Sequence, residues 1–169
     1  LFARPVRLIC VQNHKTHIER VTMKVLILAN HYNTLRIFRR ELIKKLHNDG
    51  HEVIISIPKC DDDNKNILES YGTKVVFTEF ERRGTNPIKD LSLLREYKKL
   101  IKNENPDKVI SYTIKCNIYG ALACKKYKTD HYSNVTGLGS AFQSKSLMRM
   151  LVSFLYRISL KHSKRVFFE

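Results

Sequence analysis

Thr113, Lys115 and Asn117 alternate in "YTIKCN", between a β-branched run and an apolar helical pattern. A hydroxyl, an ammonium and a carboxamide gathered where a strand gives way to a helix lie where open α/β sheets bind their ligands. Two other stretches offer related chemistry. "ERRGTNP" brings Arg82, Arg83 and Asn86, and "NVTGLGS" brings Thr136 with Gly137 and Gly139, whose backbone can approach a ligand closely. With Asn30, His31 and Arg36 after the first apolar run, these residues predict one cationic crevice. Fixed charge beside helix N-termini favours an anion there, most simply phosphate or diphosphate.

The elements that must position these groups follow from periodicity. "KVLILAN" is continuously apolar, as a strand buried on both faces should be. A helix is expected from about Thr34, burying Leu35, Phe38, Leu42 and Leu46 and ending at Gly50. "HEVIISIP" is the second strand, and Asp61 to Asp63 open a short helix that Gly72 ends. "TKVVFTEF" is the third strand. Asn86 and Pro87 suit the N-cap and first turn of a helix whose inner face would be Leu91, Leu94, Tyr97 and Ile101. Pro106 closes that helix, "KVISYT" is the fourth strand, and Asn117 is the expected N-cap of "IYGALACKKY". "HYSNVTG" supplies a fifth strand and "RVFF" begins a sixth. Between them a helix over about 144–163 sets Lys145, Arg149, Arg157, Lys161 and Lys164 on one arc. Leu147, Leu151, Phe154, Leu155 and Ile158 occupy the opposite arc, expected to cover the sheet. Strand and helix alternating at this spacing give an α/β fold, a Rossmann-like doubly wound parallel sheet with helices on both faces.

The 169 residues, 43% of them apolar, suffice for one domain. An excess of 31 Lys and Arg over 16 Asp and Glu gives a formal charge of +15, which points to an anionic partner. Cys10, Cys60, Cys116 and Cys124 have no CxxC pairing and read as reduced thiols. His14 and His17 lack further ligands nearby, so no metal is expected. Residues 1–22 read as an extension outside the fold: a short peripheral strand, a cloning remnant or upstream translation, with the domain spanning 23–169. No apolar run reaches the roughly 18 residues of a membrane span. The alternative reading is a basic Rossmann-like module binding nucleic acid or phosphorylated ligands. Against nucleic acid, most aromatics fall at positions expected to face the core. A nicotinamide oxidoreductase is excluded because the first strand leads into "ANHYNTL" and not GxGxxG. "NVT" at Asn134 matches a glycosylation acceptor by chance.

"KVLILANHYNTLRIFRRELIKKLHNDGHEVIISIP", "ERRGTNPIKDL", "PDKVISYTIKCNIYGALA" and "NVTGLGSAF" together resemble the N-terminal half of bacterial family 4 glycosyltransferases that build capsule, O-antigen or related surface polysaccharides. The resemblance covers Met23 to Glu169. It implies a GT-B architecture, two Rossmann-like domains across a cleft, of which this chain holds the acceptor-side half. The implied activity is retaining transfer from a nucleotide-sugar to a lipid-linked saccharide, by a chain inactive without its second domain. The donor's catalytic residues would lie in that domain, and no cofactor beyond the nucleotide-sugar substrate is implied. By match to the motifs of this half, Arg83, Asn86, Thr113, Lys115, Asn117, Thr136, Gly137 and Gly139 would bind substrate, joined by Asn30 and Arg36 of the same crevice, with Arg83 and Lys115 steadying diphosphate charge. The enzyme would be cytoplasmic, held peripherally at the inner face of the plasma membrane through Lys145, Arg149, Arg157 and Lys161.

Overall fold

The chain's computed structural model describes the backbone over residues 22–79, 87–137 and 146–169, and side chains over 22–79, 90–137 and 149–169. Arg82, Arg83, Asn86, Gly139 and Lys145 lie outside the described residues, as does the 1–21 segment. The strands are β1 (Lys24–Leu28), β2 (Glu52–Ile57), β3 (Thr73–Phe77), β4 (Lys108–Tyr112), β5 (Asp130–Val135) and β6 (Arg165–Phe168). All pair in parallel, in the order β3-β2-β1-β4-β5-β6. The described helices are α1 (Tyr32–Phe38), α2 (Arg40–Asn48), α3 (Asp62–Glu69), α4 (Pro87–Glu104), α5 (Ile114–Tyr127) and α6 (Ser146–Ser159), the last followed by a 3-10 turn at Leu160–His162.

Because successive side chains of a strand point to opposite faces, β1 serves two cores at once. Val25 and Ile27 pack with Leu35, Ile43, Leu68 and Tyr112, while Leu26 and Leu28 pack with Leu93, Tyr97, Ile101 and Cys116. A third cluster, Ile118, Val135, Val152 and Tyr156, joins α5, β5 and α6. An apolar groove of about 330 Å³ runs between Leu42 and Leu46 of α2 and the sheet residues Ile110, Tyr112, Tyr132 and Phe167.

Three apolar stripes differ from the sequence expectation. The helix expected from Thr34 starts at Tyr32, capped by His31, and breaks at Arg39 (φ −125°, ψ 5°). That break resets the helical phase, so Leu35 and Ile43 are buried while Phe38 is 69% exposed and Leu42 39%. In α4 the inner face is Leu93, Tyr97 and Ile101 at i, i+4 and i+8, with Leu91 turned outward. In α6 the buried residues are Val152, Tyr156 and Ser159, and Leu151, Phe154 and Ile158 of the expected covering arc face solvent. The placement of aromatics is corrected too. Phe38, Phe77, Phe154, Phe167 and Phe168 are all exposed, on helix outer faces and edge strands, whereas Tyr97, Tyr112 and Tyr156 are buried.

Gly120 sets how closely α5 approaches the sheet. A Cβ there would stand 2.9 Å from Leu28 Cδ1 and 3.2 Å from His131 Nε2. Gly120→Val should therefore overpack the site and cost about 1–3 kcal/mol in urea unfolding. An unchanged midpoint would show that the helix can retreat at no cost.

Candidate functional site

The strand order reverses between β1 and β4, so the loops leaving their carboxyl ends diverge and open a crevice. Register fixes which loops meet there. Leu28 lies beside Ser111 and Tyr112 beside Asn134, which brings the chain after β1, β4 and β5 to one edge. Asn30, Thr113, Thr136 and Gly137 all sit on that edge, as their strand positions require. Gly137 has φ +95°, a conformation that favours glycine, and nothing lies within 4 Å of where its Cβ would be.

Thr113 is the most unusual backbone of the site. Its φ of 76° and ψ of 159° fall in a region that is nearly glycine's alone. It occupies the N-cap of α5 and makes no side-chain capping bond, and the first turn of α5 contains no acid. Asn117, the expected cap, therefore lies inside the helix, its N–H donating to the Thr113 carbonyl at 2.9 Å. The strained residue turns the chain in one step, which starts the helix earlier than a side-chain capping signal would place it. The early N–H groups of α5 are left facing the crevice, where they favour an anion.

The charges around this edge are more committed than their number suggests. Lys115 Nζ donates to Asp90 Oδ1 of α4 at 2.7 Å, with both side chains less than a fifth exposed. Burial beside Asp90 raises the Tyr119 phenol well above its usual range. Arg36 reaches away to Asn64 Oδ1 of α3 at 3.3 Å. The sequence by itself does not single out Arg39. Its guanidinium lies 4.8 Å above the ring of Tyr112 and pairs with the carboxylate of Glu169. Burial pushes the Tyr112 phenol up to about 12, with Arg39 pulling the other way. Among the described residues of the expected cationic crevice, the N-terminus of α5 is flanked by cations that already hold protein partners.

Behind this edge lies a buried polar network that sequence spacing did not reveal. Asn117 is 0% exposed. Its Oδ1 accepts from Ser111 Oγ at 2.7 Å and its Nδ2 donates to the Asn134 carbonyl at 2.9 Å. It therefore ties β4 to β5 and is corrected from a substrate ligand to a positioning residue. His131 Nε2 is 2.9 Å from the same Ser111 Oγ, and its Nδ1 is 2.9 Å from Ser163 Oγ. Since Ser111 spends its proton on Asn117, it must accept from Nε2–H, leaving Nδ1 to accept from Ser163. Burial lowers the pKa of His131 to about 4, so the ring is neutral. Asn134, the match to a glycosylation motif, is buried and donates to the Ser111 carbonyl at 3.3 Å. The described cysteines are free. Burial pushes the Cys116 thiol up to about 11 and Cys124 to about 12, which makes both poor nucleophiles at neutral pH.

Comparison with known proteins bears on this edge. Residues 24–169 match the family described as glycosyl transferase 4-like. N,N'-diacetylbacillosaminyl-diphospho-undecaprenol alpha-1,3-N-acetylgalactosaminyltransferase of Campylobacter jejuni subsp. jejuni serotype O:2 is 30% identical over 151 residues, covering 86% of this chain. The chain spans only 40% of that relative's length. Among solved structures, Acinetobacter baumannii MurG superposes with a TM-score of 0.59 at 14% identity, over 85% of this chain and 40% of its own. A putative UDP-N-acetylglucosamine 2-epimerase from Listeria monocytogenes gives 0.60 at 14%, over 86% and 39%. The calicheamicin glycosyltransferase CalG4 gives 0.52 at 12%, over 83% and 42%. At such identities the likeness is one of fold, the Rossmann-like domain of the GT-B architecture.

Proposed function

This chain belongs to the glycosyl transferase 4-like family, and on that premise we propose that it is the acceptor-side domain of a retaining glycosyltransferase. The enzyme would move a sugar from a nucleotide-sugar to a lipid-linked saccharide in surface polysaccharide assembly, with the donor's catalytic groups on a second domain. The Campylobacter relative's name describes transfer onto a diphospho-undecaprenol-linked sugar, which supports that acceptor class here. The observation that carries the reading is the crevice at the β1/β4 reversal, where strained Thr113 turns the start of α5 toward the edge. A diphosphate seated there would accept hydrogen bonds from backbone N–H groups and meet the positive end of the helix dipole. Lys115 would share its ammonium between Asp90 and the phosphate. Gly137 would let the loop after β5 close on the sugar.

The test is titration of the 169-residue chain with a short-chain prenyl-diphosphate-linked saccharide, followed by backbone NMR. Shifts are expected at 113–116 and at Gly137, and Lys115→Ala should weaken binding about tenfold. Shifts confined to other strand ends would reject the site. We extend the proposal to place: cytoplasmic, against the anionic inner face of the plasma membrane. Arg149, Arg157 and Lys161 are all exposed, in support of that contact, and each cation near such a surface contributes roughly 1 kcal/mol. No described helix is long and apolar enough to cross a membrane. Nucleic acid remains the weaker reading, because Phe154, the one Phe of α6, sits exposed among aliphatic neighbours and not in a base-stacking row.

A further inference from the structure

Lys115 stands in the first turn of α5, at the positive end of the helix dipole, where a cation is disfavoured. Asp90, in the first turn of α4, offsets it through the 2.7 Å bond from Lys115 Nζ to Oδ1. The Tyr119 phenol, one turn further along α5, lies against the same carboxylate. Across the edge Arg39 holds the carboxylate of Glu169. On a chain of 31 Lys and Arg against 16 Asp and Glu, both of these cations are thus neutralised where a seat for bare anions would leave them charged. A carboxylate accepts about four hydrogen bonds, and at Asp90 Lys115 and Tyr119 account for two of them. The remainder suits a donor, which a phosphate oxygen is not and a sugar hydroxyl is. Thr113 Oγ1 adds to the demand for hydroxyls. It is buried and makes no hydrogen bond, the Cys116 thiol beside it being a weak partner. Because Asp90 holds the ammonium, its carboxylate lies two hydrogen bonds from any phosphate oxygen that Lys115 takes up, within reach of a hydroxyl on the sugar joined to that phosphate.

We propose that Asp90 determines the specificity of the crevice: its carboxylate accepts from hydroxyls of the diphosphate-linked saccharide and, by its charge, turns away diphosphates that carry no sugar. Tyr119 is the positioning residue that steadies it. The inference rests on the diphosphate seat proposed above and names the group that reads the saccharide.

The test is calorimetric titration of the native chain and of Asp90→Asn with two ligands, a short-chain prenyl diphosphate and its saccharide-linked form. Repulsion by the carboxylate acts on both diphosphates and largely cancels in the ratio of their dissociation constants, so that ratio reads hydroxyl acceptance. The native chain should prefer the saccharide-linked form. Asp90→Asn should bind the bare prenyl diphosphate about tenfold more tightly, a like charge having been removed. It should also lose about fivefold or more of the native preference. Equal loss of both ligands would reduce Asp90 to a support for Lys115, and equal gain to a counter-ion; either result overturns the proposal, as does a native chain without preference. If the saccharide-linked ligand moves no resonance at 113–116 of the native chain, the diphosphate seat itself fails and this inference with it. Shifts there, with a preference that Asp90→Asn leaves intact, would sink the specificity role alone. Should Asp90→Asn not fold, Asp90→Glu decides, because it keeps the charge and moves the oxygens by one methylene. The preference should then fall while the bare prenyl diphosphate binds as before, and a preserved preference would overturn the proposal.

Discussion

Lowering the pH from 7 to 4 should remove about 3 kcal/mol of folding free energy through His131 alone. The ring is fully buried between Ser111 and Ser163, and burial holds its folded pKa at about 4 against an ordinary 6.5. A base whose pKa is depressed on folding favours the native state when it is neutral. Its contribution is therefore complete above the unfolded value, falls away as the pH drops from 6.5 toward 4, and changes no further below that. Asp61 and Asp130, held below the usual carboxylate range by Asn64 and Lys164 respectively, lose their contributions at lower pH still. Comparison across the window from 6.5 to 4 with a variant that lacks the ring isolates this histidine's share. Urea titrations across it should give a falling midpoint in the native chain and a nearly level one in His131→Gln, which starts lower. Equal slopes for the two proteins would place the acid sensitivity elsewhere. Protonation at Nδ1 removes the acceptor that Ser163 uses. Ser163 and Lys164 lead into β6, with the Lys164 N–H bonded to the His131 carbonyl at 2.7 Å. Hydrogen exchange near pH 4 should accordingly open β6 before β1 or β2.

Asn117→Ala should cost about 3 kcal/mol, roughly 6–12 °C in Tm. The substitution strands the Asn134 carbonyl in the interior and removes the acceptor that orients the Ser111 hydroxyl, on which His131 Nε2 depends. Its effect should spread to the pH profile, since a Ser111 proton freed from Asn117 can turn toward His131. Lys115→Ala, two residues away on the same helix, provides the contrast: binding should weaken with far less change in stability, because its ion pair with Asp90 is part-exposed. If Asn117→Ala unfolded at the native midpoint but failed to bind saccharide, Asn117 would return to the role of a ligand.

The sheet was readable because its signal is local and redundant. "KVLILAN" and "HEVIISIP" are apolar at consecutive positions, which only a strand covered on both faces tolerates, and Gly50 and Gly72 mark the turns where they stand. Helix faces were less readable. A break such as Arg39 carries no sequence mark, yet it rotates everything after it, and so Phe38 and Leu42 exchanged places with Ile43. In α6 the surplus of apolar residues exceeds what one face can bury, and periodicity alone does not say which arc the fold takes.

For the site, residue type suggested the class of partner proposed above, and topology suggested the edge at which it would bind. Polar and glycine residues after β1, β4 and β5, on an α/β chain of high positive charge, were enough to point to an anion at the carboxyl edge, since parallel strands with right-handed crossovers deliver those loops to one side. What each side chain does there depended on the third dimension. Lys115 answers to Asp90, 25 positions earlier, Asn117 to a carbonyl 17 positions later, and Arg39 to a carboxylate 130 positions away. Hydrogen bonds and ion pairs act over a few ångströms of space whatever the separation along the chain, so partnership, burial and protonation were settled only when the fold closed.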